Sequence, residues 1–184
     1  ALFNVRKDIA GAEAAFDRSI AASSRDGRVL YERDQLWKRI GKSPVVRMAE
    51  LKKHIGIVLQ RDDLSLELAT LYNQLNEPEQ ALDIFLTRRF QPWEGGEGLV
   101  LAQYVRTRLL LGKVALKAGD AANGLEHFQA ALHIPENLGE ARHLLANQSD
   151  IYYWMGCACD ALGDHSQAVS WWQRGTRQQS DFQQ

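Results

Sequence analysis

The sequence predicts an all-α protein built as an array of about four and a half stacked helical hairpins. Three observations predict it. A skeleton of small, apolar and ring residues recurs along the chain. Leu68-Ala69, Tyr72, Leu75-Asn76, Ala81 and Phe85 align with Leu111-Gly112, Ala115, Ala118-Gly119, Gly124 and Phe128. Met155-Gly156, Cys159, Leu162-Gly163, Ala168 and Trp172 repeat the order. Apolar residues also follow helical spacing, as in Ile151, Met155, Ala158, Cys159 and Leu162, or Leu125, Phe128 and Leu132. Alternating patterns long enough for a sheet are absent, so about nine helices and no strands are expected.

The elements follow from the turn after the first helix of each hairpin, which falls at Lys7, Gly41, Asn76, Gly119 and Gly163. The first unit, 1–24, holds Ala12 and Phe16 at second-helix positions, but only about seven residues precede its turn. A first helix needs about twice that length. The register, and a start at Ala1 without Met, therefore predict a fragment of a longer protein that extends N-terminally. Unit 27–59 turns at Gly41, and Ser43-Pro44 opens its second helix. Unit 62–90 turns at Asn76, with Pro78 in the next first turn. Units 97–134 and 139–179 turn at Gly119-Asp120 and Gly163-Asp164, a left-handed stop followed by an N-cap.

Successive turns lie 34, 35, 43 and 44 residues apart. The extra length in the last two steps is itself repeated. Pro92-Trp93-Glu94-Gly95-Gly96-Glu97 and Pro135-Glu136-Asn137-Leu138-Gly139-Glu140 share a Pro-x-x-x-Gly-Glu core. Each is expected to close one hairpin and open a lengthened first helix of about 22 residues, ending at Gly119 or Gly163. Glu97 and Glu140 would then complement their own helix dipoles.

Composition excludes several function classes. With 184 residues, 45% of them hydrophobic, the chain buries a sizeable core. It has no apolar run long enough to span a bilayer and no secretory leader. Lys plus Arg (22) nearly cancels Asp plus Glu (23), and the signs are interspersed. That balance disfavours nucleic acid and anionic membrane as partners. Cys157 and Cys159 lie two apart in a predicted helix and point about 200° apart, so they do not bridge. A reducing, cytoplasmic setting fits.

At these residues the chain resembles the tetratricopeptide repeat family, whose Leu-Ala/Gly, Tyr, Leu-Gly, Ala, aromatic order spans nearly the whole length. Unit 62–90 matches best. Unit 27–59 departs most, with Asp34 and Val46 at small-residue places and Glu50 at the ring position. The resemblance implies a right-handed superhelix with a concave groove lined by first helices. Projected here, that groove takes Arg28, Tyr31, Gln35 and Lys38, then Asp63, Leu66, Thr70 and Asn73. It continues with Arg106, Leu109, Lys113 and Lys117, then Asp150, Tyr153, Cys157 and Asp160. Members that clamp a peptide carboxylate place Asn and Lys at set positions, which Gln35, Thr70, Lys113 and Cys157 do not reproduce. An extended or helical peptide of mixed charge is the implied ligand. The segments Arg88–Gly98 and Pro135–His143 also look like the C-terminal helical-repeat part of large bacterial proteins that carry a mutarotase-like N-terminal domain. That likeness implies a carbohydrate-related context for the parent chain.

The remaining motifs carry little chemistry. Trp93, in its Gly-rich loop, is either a sugar-stacking lid or a plug against the neighbouring hairpin. Gly95-Gly96-Glu97-Gly98 lacks the Lys-Ser/Thr that a phosphate cradle requires. Glu140-x-x-His143 has ligand spacing but no second pair, so no metal is expected. His54, His127, His133 and His165 show no ligand spacing, and the two cysteines read as small fillers. Arg88-Arg89 and Arg106-x-Arg108 form a modest basic cluster. Trp172 takes a ring position, whereas Trp171 is expected under the tail or in a contact between chains. No catalytic set assembles and no cofactor is implied. The expectation is a non-enzymatic module that binds a protein or peptide, including the N-terminal domain of its own parent. The alternatives are an accessory role at a carbohydrate site and a homodimer through the solenoid ends.

Overall fold

In the computed structural model, Gly41, Asn76, Gly119 and Gly163 all adopt left-handed φ values of 74°, 60°, 86° and 83°. Each therefore stops a helix where the spacing placed a turn. The closing hydrogen bonds confirm the stop. Asp120 N donates to Ala115 O (3.0 Å) and Gly119 N to Leu116 O (3.1 Å), and Asp164 and Gly163 repeat this onto Cys159 and Asp160. Across each turn, Asp120 and Asp164 accept from Asn123 N (3.2 Å) and Gln167 N (3.0 Å) as N-caps. The structure describes residues 8–23, 26–142 and 146–180, and the expected turn at Lys7 lies outside them. Among the described residues there are ten α-helices and no strand. None of these helices is long and apolar enough to cross a membrane.

The chain forms two compact units, Ala1–Leu75 and Asn76–Gln184. The first holds α1 (Ile9–Ala22), α2 (Gly27–Arg39), α3 (Pro44–Lys53), α4 (Ile55–Val58) and α5 (Asp62–Gln74). Helix α1 packs on α2, and α3 packs on α5. Its apolar core is aliphatic, with Leu30, Leu51, Leu64, Leu68 and Leu71 almost fully buried. Two of the atypical residues of this unit, Asp34 and Glu50, each anchor an ion cluster, while Val46 is exposed. Asp34, 2% exposed, accepts two hydrogen bonds from Arg47, Nε at 2.8 Å and Nη2 at 2.6 Å. Arg47 also reaches Glu67 (3.0 Å), whose other oxygen is held by Lys38 (2.8 Å). Glu50, at the ring position, accepts from Arg33 and from Lys53 (2.9 Å). Arg33 continues to Asp17 (3.0 Å), which ties α1 to this second cluster. Burial pushes the Asp34 carboxyl up despite Arg47; burial opposes the charge on Arg47, but pairing with Asp34 raises its pKa.

The second unit holds α6 (Pro78–Thr87), α7 (Leu99–Lys117), α8 (Ala121–Ala130), a 3-10 turn (Glu136–Leu138), α9 (Ser149–Ala161) and α10 (His165–Ser180). Successive helices pack on one another from α6 to α10. Small residues admit the rings, as the skeleton requires. A Cβ on Gly112 would collide with the Phe128 ring, and one on Gly156 with the Trp172 indole. Phe85 and Phe128 are fully buried, and Trp172 is half-buried with its Nε1 donating to Tyr153 O (3.1 Å). Trp171 stacks on Tyr152 (5.7 Å, 14°) with Arg174 above, so it is packed within its own hairpin.

The two Pro-x-x-x-Gly-Glu segments do not behave alike. The first precedes α7, which is lengthened as expected, at 19 residues. The second does not open a long helix: α9 begins only at Ser149 and has 13 residues. Asn147 accepts from Ser149 N (2.8 Å), an Asx turn that starts α9 late. The segment instead folds back. Asn137 donates its amide to Phe85 O (2.8 Å) and Arg88 O (2.6 Å) at the end of α6. Glu140 accepts from Gly98 N (3.1 Å) and Leu101 N (3.0 Å), so it caps α7 and not a helix of its own. Gly139, at φ 69°, brings this about, since a Cβ there would meet Phe90 O.

Candidate interaction face on the first helices

The projected groove residues fall into unlike surroundings. On α2, Arg28 and Lys38 are exposed, while Tyr31 and Gln35 are half-buried. Lys38 is committed to Glu67, and the buried Gln35 Nε2 makes no hydrogen bond among the described residues. On α5, Asp63 is gripped by Arg61 (3.1 and 2.7 Å), and Thr70 donates to Leu66 O (2.8 Å). Leu66 and Asn73 were expected to line an open face but are buried, 6% and 3% exposed. Ion pairing and burial thus use up most of the projected surface of the first unit.

The second unit keeps more of its face open. Arg106 and Lys117 on α7 are exposed, and Leu109 is half-buried. Lys113 extends over the Trp154 ring (4.6 Å), a cation–π contact that ties α7 to α9. On α9, Asp150 is exposed, and Tyr153 packs edge-on against Trp154 (5.3 Å). A hydrogen bond with half-buried Cys157 raises the Tyr153 hydroxyl pKa. Asp160 faces His165 (2.6 Å).

Between α7 and the start of α9 lies a cleft of about 610 Å³ that takes in Leu109 and Asp150. Its floor comprises Leu101, Ala102, Val105 and Ile151, and its rim Glu97, Arg142 and Asn147. Arg142 donates to Ala131 O (2.7 Å), and burial lowers its pKa. Sequence reasoning missed this rim. Asn147-Gln148-Ser149-Asp150, rich in N-cap residues, was the signal for a late helix start.

Several other singled-out residues are half-buried against their own surroundings. The Trp93 indole lies over Gly96 of its own loop, where a Cβ would collide with it. Arg88 sits over Phe90 (5.4 Å), and Arg108 donates to Tyr104 Oη (3.2 Å) while facing His127 (3.3 Å). The carboxylate of Glu140 is occupied at α7, and His143 lies outside the described residues.

No family model matches the chain. Among solved structures it is similar to the crystal structure of MamA, with a TM-score of 0.63 and 16% identity over 97% of this chain and 93% of that one. The structure of MamA MSR-1 C2 gives a TM-score of 0.56 and 14% identity, covering 98% and 97%. BtubC from P. vanneervenii gives 0.59 and 18%, covering 99% of this chain and 77% of that one. Likeness at these identities shows the fold, a tetratricopeptide-like array of helical hairpins.

Proposed function

We propose that this chain is a non-enzymatic protein-interaction module that takes a peptide on the first-helix face of its second unit. The observation that carries the reading is the cleft between α7 and α9. It joins an apolar floor to a rim of both charges, the lining expected for a peptide of mixed charge. Leu109, Asp150, Lys113 and Lys117 are the groove residues assigned to it or to its continuation along α7. The partner is a protein segment. In the carbohydrate reading Trp93 would be the contact, and its half-buried indole packs one side on Gly96 of its own loop.

A photo-crosslinking residue placed at Ala102 tests the site in the full chain, in its native host. Adducts are expected from Ala102 and not from exposed Arg39 on α2. Leu109→Glu should reduce them about tenfold, equivalent to about 1.4 kcal/mol of lost binding. Equal adduct yields at Ala102 and Arg39 would remove the assignment.

A further inference from the structure

A second concavity of about 480 Å³ lies in the same unit, formed by the second helices α6 and α8 with α7 as its floor. Leu86 and Val114 project into it and are 49% and 57% exposed, among the most exposed large apolar side chains of the chain. One wall carries Glu79 and Asp83, a turn apart on α6 and both exposed. Neither carboxylate forms an ion pair among the described residues. The opposite wall is Asn123 and His127 on α8. Burial, and then Arg108, lower the pKa of His127 against Glu126 and Glu79, and the Arg108 guanidinium lies 3.3 Å from its ring. The trough therefore combines an apolar floor with an acidic wall on the α6 side. Isolated exposed apolar residues are ordinary, but two in one concavity beside unpaired acids mark a contact site.

The walls also restrict the shape of what fits. All of them are helices whose backbone groups are satisfied internally, so they offer no edge to an extended strand. From Glu79 to Leu86 the wall runs about 10 Å at 1.5 Å per residue, or two helical turns. A segment that supplies its own backbone hydrogen bonds and presents apolar side chains one turn apart matches it.

We propose that the α6–α8 trough is a docking site for a basic amphipathic helix of a partner protein. Its apolar side chains sit on Leu86 and Val114, and its Lys or Arg side chains face Glu79 and Asp83. This surface is distinct from the α7–α9 cleft, so either assignment stands or falls without the other.

The test uses the full chain and a labelled, capped peptide of about four helical turns. The peptide carries leucines at i, i+4 and i+7 spacing, flanked by lysines; its control has glutamates in place of the lysines. Fluorescence anisotropy should show saturable binding of the lysine peptide that weakens with salt, and none of the glutamate peptide. Glu79→Lys/Asp83→Lys and, separately, Val114→Glu should each weaken binding about tenfold or more. Val114 is exposed on α7, so Val114→Glu should keep the wild-type thermal midpoint, whereas Glu79 lies in the first turn of α6 and its replacement by Lys should lower the midpoint by a few degrees without unfolding the chain at the assay temperature. Leu109→Glu should leave this binding intact. The proposal is overturned if wild type does not bind the lysine peptide, or if the α6 variant binds it equally well. It is also overturned if sedimentation shows a second copy of the chain filling the trough, with self-association lost in the α6 variant.

Discussion

Asp34 is one of the residues at which this chain departs from the repeat it resembles, and its partner Arg47 explains the departure. Asp34 stands where a small residue lets helices approach, and its carboxylate is buried against the guanidinium of Arg47. A buried ion pair does not by itself stabilise much, because desolvation offsets the attraction. Removing one partner is different, since the other is left charged and unpaired. Arg47→Met should therefore destabilise the protein by about 3–5 kcal/mol. Asp34→Ala/Arg47→Met restores a small residue on α2 and should recover most of that loss, with Glu67 still held by Lys38. Urea denaturation of the two variants checks this. A double variant no more stable than Arg47→Met would show that the pair does not act as a unit.

At the scale of elements, the end of α6 and the start of α7 are both fastened by one segment further along the chain, 52 residues from Phe85 and 42 from Gly98. Asn137→Ala leaves Phe85 O and Arg88 O without their side-chain donor, a loss of about 1–3 kcal/mol. Glu140→Ala removes the cap of α7, about 1 kcal/mol. Hydrogen exchange should show the Gly98 and Leu101 amides deprotected in Glu140→Ala while α9 is unchanged. Undiminished protection at those amides would mean that Glu140 does not hold the helix. This segment also marks where the sequence stopped being readable. Turns were legible because Gly41, Asn76, Gly119 and Gly163 act locally, through φ and caps within a few residues. The pairings of Gly112 with Phe128 and Gly156 with Trp172 were legible because the repeat fixes their spacing. Glu140 was not, because its core caps a helix far back in the chain, and Glu97 of the matching core, expected in the first turn of α7, lies before the N-cap Gly98. Leu66 and Asn73 were misjudged for a related reason: periodicity gives the side of a helix, and neighbouring elements decide whether that side stays open.

For the whole molecule, the two units rest on different chemistry, and acid should reach them in different windows. In the first unit, the hydrogen bond from Lys42, then the one from Trp37, lowers the Glu13 carboxyl against opposing burial. Burial opposes charge at Glu50 as well, but hydrogen bonds from Lys53 and Arg33 bring it below its ordinary value. A lowered carboxyl contributes stability above its unfolded value, near 4.5, and loses it as pH falls through the folded one. Asp34 has the opposite sign: its raised carboxyl takes up a proton in the folded state first, and this offsets part of that loss. In the second unit, burial and then Arg108 lower His127, so protonation is disfavoured in the folded state. Its contribution is present above the unfolded value of 6.5 and declines as pH falls below it. Exchange protection, corrected for the intrinsic pH dependence of the amides, should therefore weaken first around α8 on mild acidification. Around α2 and α3 it should hold until the pH falls below 4.5. His127→Gln should abolish the first change and leave the second; Glu13→Gln/Glu50→Gln should lower stability at neutral pH and flatten the second. A single transition in which all helices lose protection together, unmoved by either substitution, would show that these groups do not set the acid response.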